Sequence, residues 1–535
     1  MDTQCLSFRD VPGASRLFLD FLAGNPQLQP FYPHLKLSID ELVGQARNIK
    51  MPADRRQHVA DLLSRQNRGW NAASQSLENI QKLRAGACAV VSGQQVGLFL
   101  GPAYTLYKAV TAICLAREFN SRGVDAVPIF WLASEDHDLA EVNHALVPDG
   151  QGGLKRLETS SAGGTSAPVG TVKLGDDLSV LVEELGKLIG DSEALDFVRQ
   201  SYRPGQTLAG AFAELLVKVF SPHGLIVLEP ADPEIHRIAA PLFQSAAKNS
   251  DLLTQDLLHR NKELEAAGYH AQVKVTSSST PLFFLKDGAR VPLHKKNGDF
   301  AFNGQHWSTE QLEAQIEQTP ELFTANVLLR PVLQDYLLPT GVYIGGPAEI
   351  AYFAQVQVVY ERLSERVTPV CPRFSTTLLE GRLASWMRKY GLRLQDVLHP
   401  KDEFLSLLSR RTIPPDIKDD FQHSREQLES LLSTLLQSLN KLDPTVGAAG
   451  ELAASKMRYQ LEHLEARAAR THLQREQVLE RHATLLSSML FPERELQERE
   501  IAGIYFIGKY GTGLIDKLLE AYRPECHDHQ VIELM

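Results

Sequence analysis

The sequence predicts an α/β protein whose core is a parallel sheet with helices on its faces. An apolar run at 89–91, a glycine-bearing loop, a helix over about 104–119 and a second apolar run at 127–132 follow one another. The same order returns at 341–344, where an apolar run enters Gly-Gly-Pro and a helix that reaches about residue 362. Such alternation of strands and helices is typical of parallel sheets.

The composition is that of an ordinary soluble globular protein. Of 535 residues, 43% are hydrophobic and 22% are charged, and the formal net charge is −10. A chain with this balance lacks the basic face that phosphate neutralisation requires, so we expect no nucleic-acid partner. The sequence has neither a basic leader before an uninterrupted apolar stretch nor a run of about 18 apolar residues. We therefore expect no signal peptide and no membrane partner.

The cysteines of the chain are few and scattered. There are five, and no pair has the CxxC spacing. An odd, dispersed set fits a reduced protein better than a disulfide framework. We therefore expect a cytoplasmic protein.

Two insertions interrupt the predicted core. The first, about 140–205, has Gly- and Ser-rich stretches that favour hairpins, followed by a helix over about 178–200. The second, about 271–325, has β-rich segments joined at Asp287-Gly288, a dipeptide typical of hairpin turns. The remaining core elements are predicted as a helix at 208–220, a strand at 225–228, a helix at 234–247 and a strand at 368–371.

The chain divides into three predicted parts. Residues 1–415 form the core with its insertions, 416–490 form an antiparallel helical arm, and 491–535 form a C-terminal segment that packs back on the core. Leucines at steps of three and four, broken at Asp443-Pro444, predict two helices with a coiled-coil seam. The first half of this seam is predicted at Leu428, Leu431, Leu435, Leu439 and Leu442. We expect the arm to serve in dimerisation rather than in catalysis.

The loop after the first strand is the first candidate binding site. A helix that begins after Gly101-Pro102 presents unpaired N–H groups and the positive end of its dipole, which favour phosphate or carboxylate. Amide, hydroxyl and ammonium groups cluster around this helix start. The candidate binding residues are Ser92, Gln94, Gln95, Gly101, Tyr104, Thr105 and Lys108. The alternative is a tight strand-to-helix connection without a ligand.

A polar cluster follows the second strand and is the candidate catalytic group. It comprises Glu135, Asp136, His137 and Asp138, after Ser134. Ligands of open α/β sheets bind at the carboxyl ends of strands, and carboxylates and imidazole serve there as acids, bases or amine ligands. A helix N-cap is the structural alternative. Nothing matches HExxH spacing, so we predict no metal centre.

A third group of candidate residues surrounds the Gly345-Gly346-Pro347 unit. This unit suggests a further helix start that faces the same crevice, and arginines near it suit carboxylate or phosphate. The candidates are Arg330, Tyr343, Gly345, Gly346, Glu349, Arg373 and Ser375. A second nucleotide pocket is a further hypothesis, carried by Arg494, Lys509 and Tyr510; the alternative is that this segment only docks the C-terminus.

Several long motifs resemble one known family. VVSGQQVGLFLGPAYTLYKA, PIFWLASEDHD, NVLLRPVLQD, YIGGPAEIAYFAQ and PRFSTTL occur in order and closely resemble the cysteine-adding enzymes of bacillithiol biosynthesis (BshC). The resemblance implies a Rossmann-like core related to class I nucleotidyltransferases and synthetases. It also implies two inserted connective segments and a coiled-coil arm that forms a homodimer.

The implied reaction adds L-cysteine to the amine of glucosaminyl-malate. Bound ATP or ADP is implied, with no metal beyond Mg²⁺ that accompanies a nucleotide. Under this resemblance we expect Arg330 or Arg373, with the Gly101 helix start, to hold the malyl carboxylates. The cluster at 135–138 would orient or deprotonate the amine, and Gln94 and Gln95 would hold hydroxyls.

Two departures leave the activation chemistry open. Gly101-Pro102-Ala103-Tyr104 stands where related synthetases carry HxGH, and it contains no histidine. The second signature loop of those synthetases has no lysine pair here. A non-catalytic dimer that binds the sugar-malate as a scaffold or sensor is therefore the alternative function, and a ligase for another amino sugar is a third.

Overall fold

The computed structural model describes residues 3–35, 38–160, 166–302 and 304–534. Residues 161–165, within the predicted Gly- and Ser-rich stretch of the first insertion, lie outside the described residues. The strands are β1 (Thr3–Leu6), β2 (Cys88–Gln94), β3 (Ala126–Leu132), β4 (His144–Pro148), β5 (Leu154–Glu158), β6 (Ile226–Leu228), β7 (Ser279–Lys286), β8 (Ala289–Lys296), β9 (Asp299–Phe302), β10 (Gln305–Trp307), β11 (Phe323–Ala325), β12 (Thr340–Gly345), β13 (Val370–Pro372), β14 (Thr376–Glu380) and β15 (His529–Leu534).

Helices make up much of the remaining described chain. Those before the arm are α1 (Arg16–Ala23), α2 (Ile39–Ala46), α3 (Ala53–Gly69), α4 (Ser74–Ala85), α5 (Tyr104–Ser121), α6 (Leu139–Val142), α7 (Leu178–Ile189), α8 (Glu193–Ser201), α9 (Leu208–Phe220), α10 (Pro233–Lys248), α11 (Ser250–Ala266), α12 (Thr309–Gln318), α13 (Arg330–Leu337), α14 (Pro347–Leu363), α15 (Gly381–Lys389), α16 (Leu394–Val397) and α17 (Lys401–Thr412). The arm and the segment after it hold α18 (Pro415–Leu442), α19 (Pro444–Arg475), α20 (Gln477–Leu490), α21 (Gln497–Glu500), α22 (Gly503–Tyr510) and α23 (Leu514–Ala521).

A five-stranded parallel sheet forms the centre of the fold. Its strand order is β13-β12-β2-β3-β6, and every neighbouring pair is parallel. Strands β2 and β3 are buried along almost their whole length, as expected for a parallel sheet covered on both faces. The predicted α/β class with a Rossmann-like parallel core is confirmed.

Gly93 allows the two central strands to approach closely. A Cβ atom at this position would lie 2.5 Å from the carbonyl oxygen of Trp131 on β3 and 3.0 Å from its Cβ. Any larger residue would push β2 away from β3. The glycine therefore serves strand packing, and the backbone beside it can turn toward the cavity described below.

The two insertions form small sheets of their own. In the first, the hairpin β4–β5 is followed by two helices rather than the single helix predicted over 178–200. The chain breaks at Gly190, whose φ of +77° disfavours a side chain and ends α7. The second insertion carries an antiparallel sheet of order β10-β9-β8-β7-β11, and its β7–β8 hairpin turns at the predicted Asp287-Gly288.

A fourth sheet joins distant parts of the sequence in the order β1-β15-β14. Strand β15 runs antiparallel to β1 and parallel to β14, with Leu378 opposite Ile532. Nothing in the sequence analysis predicted β1 or β15. Both are short, and each is fixed by its partners rather than by a periodic pattern of its own.

Helices α18 and α19 form the predicted antiparallel hairpin, but the predicted leucine seam is only partly right. Ion pairs Arg425–Glu465 and Arg458–Glu429 bridge the two helices. The seam contains the buried Leu432, Leu436 and Ala454, together with the partly buried Leu428, which was predicted. The predicted Leu439 is also partly buried, whereas the predicted Leu431, Leu435 and Leu442 are 62%, 48% and 76% exposed. The sequence has leucine doublets at 431–432 and 435–436, so two registers fit the same pattern, and packing against α19 selects the other one. Among the helices of the described residues, none is long and apolar enough to cross a membrane.

Candidate active site

A cavity of about 630 Å³ opens at the carboxyl ends of the central strands. Residues after β2, β3 and β12, the start of α5 and the start of α14 line it. This is the position at which open α/β sheets bind their ligands. All three predicted candidate segments reach this cavity with some of their residues.

On the β2 side, Lys108 fixes the wall rather than offering a free ammonium group. Its Nζ donates to the carbonyl of Gly93 at 2.7 Å and to Oε1 of Gln94 at 2.9 Å, and it pairs with the carboxylate of Glu349. An ammonium group has three protons to donate, and these three acceptors use them. Burial lowers the pKa of Lys108 against the opposing effect of Glu349. The ion pair ties the starts of the two Gly-Pro helices together.

Gln94 and Tyr104 present polar groups on the same wall. Nε2 of Gln94 lies 3.3 Å from the hydroxyl of Tyr104, and both residues line the cavity. Burial raises the pKa of Tyr104 to about 12, so its hydroxyl is protonated at neutral pH. The pair therefore offers a phenolic hydroxyl and an amide to a bound molecule.

Three other residues predicted in this loop lie behind the wall. Ser92 donates from Oγ to the carbonyl of Ile344 on the neighbouring strand at 2.9 Å. Gly101, with φ +62°, accepts a hydrogen bond from the N–H of Gly503. Thr105 is fully buried. None of these three lines the 630 Å³ cavity, and the first two connect the loop to other elements.

Only two of the four residues in the polar cluster after β3 line the large cavity. Glu135 and Asp136 line the large cavity, whereas His137 and Asp138 do not. Nε2 of Gln95 donates to Asp136 Oδ2 at 2.7 Å and to Glu141 Oε2 at 2.8 Å, so both predicted segments meet here. Asp138 is exposed and occupies the N-cap position before α6, but its side chain makes no capping hydrogen bond.

Glu135 has a buried partner that the sequence analysis missed. Oε1 of Glu135 lies 2.9 Å from Nε2 of His236 on α10, and this nitrogen also lies 3.1 Å from the carbonyl oxygen of Pro230. His236 is 3% exposed. Although burial acts to lower it, contact with Glu135 raises the pKa of His236, so the charged pair is favoured. The sequence contains little indication of this contact, because His236 lies inside an ordinary amphipathic helix about a hundred residues after Glu135.

Glu229 lies beneath this pair, directly after β6. Oγ of Ser134 donates to its carboxyl group, and the N–H of Ala231 donates to Oε1 at 3.0 Å. Burial raises the pKa of Glu229 to about 7, and the negative charge of Glu135 acts in the same direction. The sequence did contain one indication of this role, because Glu229 directly follows the predicted strand at 225–228.

Four guanidinium groups line the cavity, and the sequence analysis predicted two of them, Arg330 and Arg373. Arg330 donates to the hydroxyls of Tyr343 at 3.2 Å and Tyr352 at 2.6 Å. Arg290 on β8 donates to Oγ1 of Thr324 and the carbonyl of Ala325. Among the residues described, neither arginine has a carboxylate within 4.0 Å, so both retain positive charge for an anion.

Arg499, from helix α21, is another guanidinium at the cavity. It forms an ion pair with the exposed Glu495 at 2.9 Å, one turn away on the surface. An exposed pair of this kind is weak and exchanges readily for another anion. Arg290 and Arg499 both come from segments that the sequence analysis did not assign to the site.

The Gly345-Gly346-Pro347 unit and the residues around it supply the remaining wall. The N–H of Gly346 donates to Oε2 of Glu349 at 2.8 Å, and the hydroxyl of Tyr343 donates to Oε1. Burial acts to raise the pKa of Glu349, but Lys108 and the Gly346 N–H hold it below its usual value. Gly346, Glu349 and Tyr343 line the cavity, whereas Gly345 accepts a backbone bond from Arg373 and does not line it.

Arg373 reaches the cavity but its charge is already compensated. Its Nη2 donates to Oε1 of the buried Glu498 at 2.6 Å, and Oγ of Ser375 donates to the same oxygen at 2.8 Å. Ser375 also lies 2.8 Å from Nδ1 of His529 on β15. Burial lowers the pKa of His529 to about 4, so the imidazole is neutral here. Of the two predicted arginines, Arg330 is the better anion ligand.

The three residues of the predicted second nucleotide pocket do not line a common cavity. Arg494 is exposed on a short turn with φ +67°, while Nζ of Lys509 donates to Glu380 at 2.7 Å and to Tyr505. Tyr510 is half-buried. None of the three lines the cavity of 630 Å³ or the smaller one next to it, and the hypothesis remains a prediction.

A second cavity of about 320 Å³ adjoins the first. The two share Asp136, Arg290, Asn326 and Val327, so these residues form the partition between them. His137 lines this second cavity, and its Nδ1 lies 3.3 Å from Nη1 of Arg290. Across the described residues, no three His, Cys, Asp or Glu side chains are grouped so as to hold a metal ion.

Comparisons with known proteins cover the whole chain. Residues 1–374 match the family model described as bacillithiol biosynthesis BshC, N-terminal Rossmann-like domain. Residues 376–534 match the model described as bacillithiol biosynthesis BshC, C-terminal coiled-coil domain. The border between the two models falls just before β14.

Curated relatives are similar along their full length. A protein of Koribacter versatilis, named as a candidate cysteine ligase BshC, is 45% identical over 534 residues and covers 100% of both chains. A protein of the same name from Solibacter usitatus is 36% identical over 99% of this chain and 100% of its own. Another from Bacillus cereus is 28% identical over 96% of this chain and 97% of its own.

Proposed function

Since the chain belongs to the BshC family of bacillithiol biosynthesis, we propose that it is a cysteine ligase that makes bacillithiol. The reaction joins the carboxylate of L-cysteine to the sugar amine of glucosaminyl-malate, with loss of the elements of water across an activating step. One observation carries the proposal. Arg290 and Arg330, which have no carboxylate partner among the described residues, line the same cavity as Glu135, whose carboxylate pairs with the buried His236.

The arginines suit the two carboxylates of the malyl group. A guanidinium donates two parallel hydrogen bonds to a carboxylate, and Arg330 is held in place by two tyrosine hydroxyls. Arg290 is buried among Thr324 and the Ala325 carbonyl. We assign these two to the malyl carboxylates and exclude Arg373, whose charge Glu498 compensates.

Glu135 is the residue we assign to the proton of the sugar amine. An ammonium group cannot attack a carbonyl until it has lost a proton, and a carboxylate within reach of the amine can accept it. His236 holds the carboxylate of Glu135 from below, so that its other oxygen can face the cavity. Asp136, held by Gln95, would orient the amine beside it.

The cavity residues also fit a polyanionic nucleotide. The donor set consists of arginine side chains, an amide and a phenol, and guanidinium groups bind phosphate as well as carboxylate. Arg499, with its exchangeable surface partner, is the residue we assign to phosphate oxygens. A bound nucleoside triphosphate would supply the activation of the cysteine carboxylate, with Mg²⁺ as its counterion. We propose ATP or ADP as the bound nucleotide.

The decisive experiment incubates purified protein with glucosaminyl-malate, cysteine and ATP and detects bacillithiol by mass. Omission of each reagent in turn shows which of them the reaction needs. The nucleotide by-product identifies the activation of the carboxylate, since adenylation releases AMP and phosphorylation releases ADP. The scaffold alternative predicts binding of glucosaminyl-malate by calorimetry without any product. Other amino-sugar conjugates, tested in the same assay, address the acceptor.

We further propose that the protein is a cytoplasmic homodimer joined through its arm. The exposed Leu431, Leu435 and Leu442 lie on the face of α18 that is not used by the intramolecular seam. A row of exposed leucines is typical of a helix that packs on another chain. Sedimentation of the full chain, compared with a Leu431→Glu, Leu435→Glu variant, tests this assembly.

A further inference from the structure

The two ends of the described chain bring two cysteines together. Cys5 lies on β1 and Cys526 lies in the turn before β15, and their Sγ atoms are 3.6 Å apart. The sequence separates them by 521 residues, and the antiparallel pairing of β1 with β15, with Cys5 opposite Gln530, places them side by side. Neither was expected to have a cysteine partner.

The pair differs from the other three cysteines in its access to solvent. Cys5 is exposed and Cys526 is half-buried, whereas Cys88 and Cys114 are buried in the core. Cys371 is half-buried but is not near a second sulfur among the described contacts. An external reagent therefore meets Cys5 first.

From this geometry we propose that Cys5 and Cys526 form a reversible disulfide when the protein meets a small-molecule disulfide. A disulfide bond is about 2.05 Å long, so the sulfurs need to approach by roughly 1.5 Å. Cys526 lies outside the strand ladder, in a turn held by its own N–H to the carbonyl of Arg523. The turn can supply this movement without breaking the β1–β15 pairing.

The exchange proceeds in two balanced steps. The thiolate of Cys5 attacks one sulfur of the small disulfide, which forms a mixed disulfide and releases one small thiol after it takes up a proton. The thiolate of Cys526 then attacks the sulfur of Cys5 and displaces the second small thiol. The two cysteines lose two electrons and two protons, and the small disulfide gains both.

The reaction is expected to be slow at neutral pH and faster in alkali. Burial and the neighbouring Cys526 raise the pKa of Cys5 to about 11, so little thiolate is present at pH 7. The sheet held by the bond also carries β14, next to Arg373 and Ser375. The bond would therefore clamp the side of the protein on which the buried Arg373–Glu498 pair lies. The exchange chemistry does not depend on the proposed ligase activity.

The test treats the full-length protein with oxidised glutathione at pH 8.5, blocks free thiols under denaturing conditions and maps the peptides by mass. We expect the peptides that contain Cys5 and Cys526 to appear joined, with a mass lower than their sum by two hydrogen atoms, and to separate after reduction. Cys5→Ser and Cys526→Ser should each abolish the joined species, and Cys371→Ser should retain it. Glutathione left on both cysteines without a joined peptide, or a bond between two molecules, would overturn the proposal.

Discussion

Nε2 of His236 lies 2.9 Å from Oε1 of Glu135, although the two residues come from different strand-to-helix units of the sheet. The contact crosses from α10 to the end of β3, below the floor of the large cavity. A neutral imidazole would leave the Glu135 carboxylate without a charged partner at this point. The pair therefore links the stability of the protein to the state of its proposed base.

This link predicts a particular dependence of stability on pH. The pKa of His236 is raised in the folded state by Glu135, in spite of burial, above its usual 6.5. The stabilisation by the pair is therefore complete below about pH 6.5 and is lost as the pH rises through the raised value. We expect the Tm of the native protein to fall more steeply above neutral pH than that of His236→Asn. Parallel melting curves for the two proteins, with the same slope across this range, would argue against a charged pair.

Within the predicted catalytic cluster, we expect Glu135 to matter most. Glu135→Gln removes the proton acceptor in the cavity, and general-base catalysis contributes about 100-fold or more. His137→Ala and Asp138→Ala should have smaller effects on kcat, because both side chains lie outside the large cavity. The exposed Glu183→Gln on α7 is the matched control. Equal losses in all three cluster variants would contradict the assignment.

Arg330 should determine the affinity for the dicarboxylate. Replacement by alanine removes charge-assisted hydrogen bonds, so the KM for glucosaminyl-malate should rise about 10- to 100-fold with the KM for cysteine little changed. Arg362→Ala, which removes a surface partner of Asp256, serves as the control. Steady-state kinetics with each substrate varied in turn provides the measurement. A rise confined to the KM for cysteine would reassign Arg330 to the other substrate.

Gly93→Ala should destabilise the core of the sheet. Its Cβ would lie 2.5 Å from the Trp131 carbonyl oxygen, and relief of such overpacking typically costs about 1–3 kcal/mol. The control is Gly44→Ala on the exposed side of α2, where an added Cβ meets no atom within 4 Å. That substitution should leave stability equal or slightly higher, because alanine favours helix. Urea unfolding of both variants separates the two effects.

Glu229 gives a second prediction about pH and stability. Here burial raises the pKa, whereas for His236 the charged partner raises the pKa against the effect of burial. Burial raises its pKa from 4.5 to about 7 in the folded state, so unfolding is favoured by ionisation as the pH rises above 4.5. The native protein should therefore lose stability between about pH 4.5 and pH 7, and Glu229→Gln should lose less. Chemical denaturation at several pH values in this range measures the difference. An unchanged pH dependence in the variant would mean that Glu229 is ionised in the folded protein.

Local patterns predicted the central sheet well. Apolar runs at β2, β3 and β12 are long and are followed by Gly and Pro, so their strand-to-helix order is readable without tertiary information. The hairpin at Asp287-Gly288 was predicted for the same reason, because its turn chemistry is local. The helix break at Gly190 was missed because the flanking residues continue an amphipathic pattern.

The parts of the site that depend on long-range contacts were not predictable in this way. Glu135 and Asp136 were identified because they follow a strand, but only the fold brings His236 to Glu135 and Arg290 to His137. Glu498 likewise reaches Arg373 only through the fold. Lys108 shows most clearly how a local pattern can suggest a role that tertiary contacts exclude. Its place on the first turns of a helix suggested an anion ligand, and the structure gives all three of its protons to protein acceptors.

The pairing of β14 with β15 has a consequence for the covalent continuity of the chain. The arm turns at Asp443-Pro444, and the segments on its two sides return to a common sheet in which Leu378 faces Ile532. Arg373 and Glu498 add a buried ion pair across the same divide. A single cut at the tip of the arm would therefore leave two fragments that remain assembled, and the protein is a natural candidate for reconstitution from two separately expressed fragments.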